Sequence, residues 1–359
     1  MKKIVFFFSI VILSACGLFN DKETTIEEIE PFEIETLRSF APDTISYFEV
    51  DESNNIFVAT KKRWFISSDL GASFQSFDQP DSTYFKRIEL LGNTFYAIGV
   101  IKVPFDLWGD STFTITVDSN ILYRSDEGSN WTKVLGPFLM GDLLLDQNGF
   151  LHISKYGGVS SIDLSDGKEY LNQFLNTNSL DFVTMMSMSP NGDVYAVSHD
   201  GIYKTTDNGK NWNRISQEIP KNLDDIHYIK ILNEDTFIAH GTRRVYSSEN
   251  GEDWNWYDMY AWSPYTKEDL TLRRDTFYPN GFTVDKKGNL YAINSIGIFY
   301  AKSDSISEFD WLGPKGYDYD TPFKFSKVFS TMNGDLILQD GSYLAIAKKN
   351  PTSSYWDSN

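Results

Sequence analysis

The chain of 359 residues holds one cysteine, Cys16, and four histidines. A single cysteine excludes a disulfide framework and any zinc site built on a cysteine cluster. Four scattered histidines are too few for a His-based metal centre, and no metal or cofactor is expected. Basic residues are scarce too, 32 against 50 acidic ones, for a net charge of −18. A surface this acidic repels phosphate backbones, which argues against nucleic acid as a partner. Long apolar runs are missing. The one that stands out, Ile4 to Leu13, would rise about 15 Å as a helix against a bilayer core of about 30 Å, too short to span. P-loop, HExxH and Ser–His–Asp patterns are absent from the sequence. What is abundant is aromatic side chain, 16% of residues, which argues for a large packed core and against disorder.

Met1-Lys2-Lys3 followed by that apolar run reads as a secretory signal peptide over residues 1–15. The run ends in Leu13-Ser14-Ala15-Cys16-Gly17, which resembles the bacterial lipobox, whose cysteine becomes the first residue and carries lipid. On that resemblance Cys16 is the lipidation site and residues 16–30 form an acidic tether. The protein would then sit in the cell envelope of a Gram-negative bacterium, at the outer membrane or cell surface, touching membrane through the lipid anchor alone. Residues 31–350 follow as one folded domain and 351–359 as a C-terminal tail. The sequence does not indicate an oligomeric state.

The body is repetitive. An apolar strand, a turn built on Asn, Asp or Gly, and a second strand recur at 48–60, 88–99, 143–154, 186–198, 229–241, 282–294 and 327–339. Asn-Gly and related pairs between apolar runs signal hairpins, because primed turns need positive φ. From Asn54 to Gly334 the turns recur about every 47 residues, room for one four-stranded propeller blade. A second pattern follows the hairpins. It reads Ser67-Ser68-Asp69-Leu70-Gly71-Ala72-Ser73-Phe74, then Ser125-Asp126-Glu127-Gly128-Ser129-Asn130-Trp131, then Thr205-Thr206-Asp207-Asn208-Gly209-Lys210-Asn211-Trp212, then Ser247-Ser248-Glu249-Asn250-Gly251-Glu252-Asp253-Trp254. Ser165-Asp166-Gly167 and Ser303-Asp304 with Trp311 look like decayed copies.

These motifs resemble the Asp-box, or BNR repeat, of the sialidase-like β-propellers, over nearly the whole mature chain. The resemblance implies an all-β fold, a single propeller of most probable count seven four-stranded blades, with six or eight open. It also implies that Asp69, Gly71, Asp126, Gly128, Trp131, Asp207, Gly209, Trp212, Glu249, Gly251 and Trp254 are structural fixtures of turns rather than catalytic acids or metal ligands. The last repeat ends near Ala347, so the seventh blade has about three strands of its own. Residues 32–37 (FEIETL) alternate suitably to supply the fourth.

Antiparallel order puts the hairpin turns and the Asp-boxes on one face, and the turns between second and third strands, with the links between blades, on the other. Ligands of the family usually sit at that other mouth. Two long insertions are expected there, Val100 to Asn120 and Asn255 to Asn280. They carry Phe105, Trp108, Trp256, Tyr257, Tyr260, Trp262, Tyr265 and Tyr278, rings suited to stacking on sugars or docking a protein, or to covering blade joints. Lys62, Arg63, His199, Arg243, Arg273 and Arg274 would add polar and basic groups, either as an anion-focusing cluster or as ordinary solvated turns. The candidate ligand-binding set is therefore Trp108, Tyr260, Trp262, Tyr265, Arg243, Arg273, Arg274, His199, Lys62 and Arg63, with no catalytic residue assigned.

Sialidases hold a carboxylate with three arginines and use a Tyr–Glu pair and an Asp acid. Their first Arg lies in a Phe/Tyr-Arg-Ile-Pro motif, and Leu37-Arg38-Ser39-Phe40-Ala41-Pro42 does not match it. Glu268 is the main acid candidate. The reading favoured is a non-catalytic envelope lipoprotein that binds a glycan or a protein partner through an aromatic mouth. The alternatives are a diverged glycoside hydrolase or lyase, and an assembly factor for an envelope complex.

Overall fold

The computed structural model describes residues 32–51, 53–106, 114–139, 142–155, 157–173, 183–198, 201–216, 228–232, 236–241, 244–264, 272–303, 306, 308–313 and 325–349. Secondary structure among them is all strand. Seven antiparallel sheets are arranged in a ring, a seven-bladed β-propeller. Blade 1 comprises Ile45–Val50, Ile56–Thr60, Arg63–Ser67 and Gln75–Asp78, ordered from axis to rim. Blades 2 to 5 repeat the plan, and their inner strands are Tyr84–Leu91, Leu143–Leu145, Val183–Met188 and Tyr228–Ile231.

Local chemistry explains the inner hairpins. Asp51, Asp146 and Asp285 each open a five-residue turn. The Oδ1 of Asp146 accepts the N–H groups of Asn148 (2.9 Å) and Phe150 (2.8 Å). Asp285 does the same for Lys287 and Asn289, and Asp51 for Ser53 and Asn55. The fourth residue of each turn takes positive φ, so it is Gly149 or Gly288, or in blade 1 the tolerant Asn54 at 65°.

The core is divided into seven clusters, one in each joint between neighbouring blades. In blade 1, Ile56 and Val58 face blade 7 while Phe57 and Ala59 face blade 2. Both faces of the strand are buried, so it reads IFVAT without polar alternation and all five residues are buried.

Blade 7 closes the ring. Its inner strands Lys327–Ser330, Leu336–Asp340 and Tyr343–Lys348 come from the C-terminal end, and Glu33–Ser39 pairs antiparallel to Tyr343–Lys348 as the outermost strand. Glu35 meets Ile346 in register and its carboxylate takes the Lys348 ammonium at 2.6 Å. The strand expected at 32–37 is thus found at 33–39. It is anchored by Phe32 in the joint with blade 6 and by Leu37 and Phe40 in the joint with blade 1.

Blade 6 departs from the plan. Its strands Gly281–Val284, Leu290–Asn294, Gly297–Ala301 and Glu308–Gly313 carry a further hairpin, Tyr260–Pro264 with Leu272–Thr276, on the outer edge. Tyr260–Pro264 runs parallel to Glu308–Gly313, and Tyr260 stands opposite Glu308. The insertion at 100–120 also differs from a loop: Thr94–Asp106 and Thr114–Ser125 form one ribbon that prolongs blade 2.

Deleting residues 32–39 should lower the melting temperature by well over 5 °C, since loss of the Phe32 seat alone costs about 2–3 kcal/mol. Circular dichroism melts of the mature chain with and without the segment check this, and an unchanged midpoint would reject the closure.

Candidate functional site

The four Ser/Thr-to-Gly motifs all sit in turns between third and outermost strands, and each packs on the preceding blade. Trp64 of blade 1 donates its indole N–H to the Gly128 carbonyl of blade 2 at 2.9 Å. Trp131 lies 6.0 Å from Trp64 between ring centroids, Trp212 lies 6.0 Å from His152 of blade 3, and Trp254 joins the cluster between blades 4 and 5.

Two turn lengths occur. In the longer form Ser67 or Thr205 accepts the N–H of a glycine four residues on, Gly71 at 2.8 Å or Gly209 at 2.9 Å. Asp69 and Asp207 accept the backbone N–H of Ser73 and Asn211, each at 2.9 Å. In the shorter form Ser125 and Ser248 reach a glycine three residues on, Gly128 at 2.9 Å and Gly251 at 2.8 Å. The acceptor is always two residues after the hydroxyl. In the short turns it is therefore Glu127, which takes Ser129 and Asn130, and Asn250, which takes the N–H groups of Glu252 and Asp253. Asp126 instead bonds Arg124 and Thr94 outside the turn, and Glu249 makes none of these turn contacts. Aligning on the carboxylate alone had given the role to Asp126 and Glu249; counting from the Ser or Thr finds the right residue.

The long turn needs one extra left-handed residue, Leu70 at φ 55° or Asn208 at 61°. Gly71 takes φ 90°, which other residues resist, and a Cβ there would stand 2.6 Å from the Leu37 side chain of the closing strand, which would have to shift. The Ser73 side chain, the Ser73 N–H and the Ser67 hydroxyl all donate to Asp69 and draw its pKa down to about 2.

Of the candidate ligand residues, His199, Arg243, Trp108 and Tyr265 lie outside the described residues, as do Cys16 and Glu268. For Trp262 and Arg273 the backbone alone is described, in the added hairpin of blade 6. Arg274 and Tyr260 are brought together on that hairpin. The Arg274 guanidinium stands 3.7 Å above the Tyr260 ring and grips Glu308 at 2.6 Å. Lys62 reaches Asp43 at 3.7 Å, and Arg63 pairs with Asp78 at 3.1 Å. Within residues 255–280, the strands Asn255–Asp258, Tyr260–Pro264 and Leu272–Thr276 thus lie at the outer edges of blades 5 and 6, where the expectation was a loop above the opening. Trp256 and Tyr257 belong to the outermost strand of blade 5, Asn255–Asp258, with Arg244 4.3 Å over the Trp256 ring. Four aromatic rings are exposed among the described residues, and three belong to this segment: Trp256 (47%), Tyr257 (39%) and Tyr278 (52%).

Two arrangements were not foreseen. Ser161, His152 and Asp146 form a hydrogen-bonded chain, 2.9 Å from hydroxyl to Nδ1 and 3.1 Å from Nε2 to carboxylate. The order is that of a hydrolase triad. All three are sealed, at 0%, 0% and 1% exposure, and a Cβ on Gly209 of blade 4 would fall 1.9 Å from the Ser161 hydroxyl. The chain is a polar filling of the joint between blades 3 and 4.

The second is a cavity of about 390 Å³ on the axis, bordered by Tyr47, Phe48 and Glu49 of blade 1, Lys86, Arg87 and Ile98 of blade 2, Asp142 and Leu143 at blade 3, and Lys327 and Phe329 of blade 7. Lys86, Asp142 and Lys327 stand near the starts of inner strands, on the face of the links between blades. Arg87 holds Glu89 at 2.6 Å and the Leu143 carbonyl at 2.7 Å. Burial opposes the Arg87 charge, but Glu89, Glu49, Tyr47 and Asp142 outweigh it and keep the guanidinium firmly protonated. Burial raises Glu89. It lowers Lys86, against the pull of Asp142, and lowers Lys327, against the pull of Glu49. A sequence signal for this cluster exists: Lys86, Arg87 and Glu89 interrupt an inner strand whose other residues are apolar or aromatic.

No protein-family model matches the chain, and no curated protein matches it in sequence. Solved structures do match in fold. A streptogramin B lyase superposes with a TM-score of 0.60 at 11% identity, covering 89% of this chain and 98% of that one. YCF48 bound to a D1 peptide gives 0.57 at 13% identity, with 89% and 96% covered. YCF48 from Cyanidioschyzon merolae gives 0.54 at 11% identity, with 88% and 98% covered. At these identities the likeness shows the propeller fold alone.

Two outcomes follow for the turns and joints. His152→Ala removes the partner of a buried carboxylate and should cost roughly 3–5 kcal/mol in urea denaturation. Asp69 has a folded pKa below its unfolded value, so its contribution is complete above about pH 4 and is lost as pH falls toward about 2. The gap in melting temperature between the parent and Asp69→Asn, open at about pH 6, should close by about pH 2.

Proposed function

We propose that the protein is a non-catalytic binding module of the cell envelope, lipid-anchored through Cys16, which docks a protein partner on the aromatic flank of blades 5 and 6. The observation that carries this reading is the concentration of exposed rings: Trp256, Tyr257 and Tyr278 on two adjoining blades of an otherwise acidic molecule. Exposed aromatic clusters beside arginine are the usual anchors of interfaces. The exposed strand Asn255–Asp258 also presents a free backbone edge of blade 5 to a partner strand. YCF48, a propeller of the same fold, has been solved with a peptide bound, which supports a protein partner in general. A glycan remains the competing ligand, since the same rings could stack on sugar.

Crosslinking capture from native membranes, with the full chain as bait, tests the proposal. The parent should recover a stoichiometric protein, and Trp256→Ala with Tyr278→Ala should weaken capture by about 2 kcal/mol or more, roughly thirtyfold. Equal capture by the double variant would overturn the docking surface. Binding to a glycan array with no protein recovered would replace the partner by a sugar.

A further inference from the structure

Inner strands of the propeller place alternate side chains on the axis, and three of them are bulged near their starts, between Ile45 and Tyr47, Phe85 and Arg87, and Val183 and Met185. A bulge adds one residue and re-aims a side chain. In blade 2 the extra residue is Lys86, and the bulge stands it beside Arg87 on the border of the axial cavity.

The hydrogen-bonding capacity of this cavity is unbalanced. Its acceptors have donors. The Asp142 carboxylate takes the N–H of Leu143 at 2.9 Å and of Met186 at 2.7 Å, and Glu49 takes the Tyr47 hydroxyl. Its guanidinium is spent on Glu89 and the Leu143 carbonyl. The two ammonium groups are different. Among the described residues, Lys86 and Lys327 make no hydrogen bond and no ion pair, although each carries three donors. Lys86 is half-buried on the wall, where burial works against its charge, and Lys327 is exposed at the mouth, where the surrounding protein lowers its pKa against the pull of Glu49. Tyr47, Phe48, Ile98, Leu143 and Phe329 supply the rest of the lining, largely aromatic and aliphatic. Phe48 and Phe329 meet edge to face with centroids 4.9 Å apart, which gives a firm apolar corner.

We propose that this cavity binds a small organic carboxylate, whose oxygens are held by Lys86 and Lys327 and whose apolar body rests on Phe329 and its neighbours. A volume of about 390 Å³ suits a compact small molecule. The site lies on the axis, apart from the aromatic flank, and does not depend on the docking of a partner there.

Calorimetry and thermal melts of the mature chain at neutral pH test it, with benzoate as the probe, benzyl alcohol as its neutral counterpart and sodium chloride matching ionic strength. Benzoate should raise the melting temperature saturably, and benzyl alcohol and salt should not. Lys86→Met and Lys327→Met should each weaken benzoate roughly tenfold or more. Without benzoate both variants should melt no lower than the parent, because neither ammonium makes a hydrogen bond or ion pair among the described residues that the substitution would remove. Trp256→Ala should bind benzoate like the parent. The proposal is overturned if benzoate gives no saturable shift, if benzyl alcohol matches it, or if the Met variants keep parental affinity. It is overturned equally if those variants melt several degrees lower, since the lysines would then serve the fold.

Discussion

Every sheet of this molecule buries both faces against its neighbours. Ile56 and Val58 seal one joint while Phe57 and Ala59 seal the next, and the same division recurs around the ring. A sheet in that position cannot be stable alone, since its second strand is apolar on both sides. Stability therefore belongs to the closed circle, and the circle has a seam. The seam is the pairing of Glu33–Ser39 with Tyr343–Lys348, which joins the two ends of the folded region. Its influence extends past hydrogen bonding. The Leu37 side chain packs over Gly71, so the first of the four turns is covered by the closing strand.

Much of this was legible in the sequence. Seven hairpin turns, about 47 residues apart on average, specify seven blades, and in blades 1, 3 and 6 the turn begins with an aspartate acceptor and takes a left-handed residue near its end. The shortfall after Ala347 and the alternation at 32–37 together locate the closing strand. What escaped reading has physical causes. Glu127 and Asn250 were passed over because the shorter turn drops one residue between hydroxyl and glycine, which moves the acceptor relative to the glycine but not relative to the serine. The hairpin on blade 6 was taken for a loop because its strands Tyr260–Pro264 and Leu272–Thr276 are five residues each, and the second lies at the edge, where only one neighbour constrains composition. The Ser161–His152–Asp146 chain is invisible in sequence because its meaning lies in burial beneath Gly209, a residue of the next blade.

The charge balance links the surface to the axis. On a chain with an acidic excess of 18, several exposed arginines are held by a carboxylate. Arg63 and Arg244 each open the third strand of a blade and pair in register with the aspartate that ends the fourth, Asp78 and Asp258. Arg274 grips Glu308 on the added hairpin. Such exposed pairs contribute little stability, about 0–1 kcal/mol each. They do decide availability, since a guanidinium already bidentate to a carboxylate must be stripped of it before it can bind a ligand anion. Of the arginines that a reading of the sequence would assign to an anion, Arg63 and Arg274 are thus occupied. Lys86 and Lys327, which make no hydrogen bond and no ion pair among the described residues, stand instead on the border of the cavity, with Asp142 and Glu49 on the same lining. On a molecule this acidic, two lysines without ion pairs beside an aromatic wall single out an anion that carries an apolar body, and that combination is a sharper basis for selectivity than a uniformly basic mouth would give.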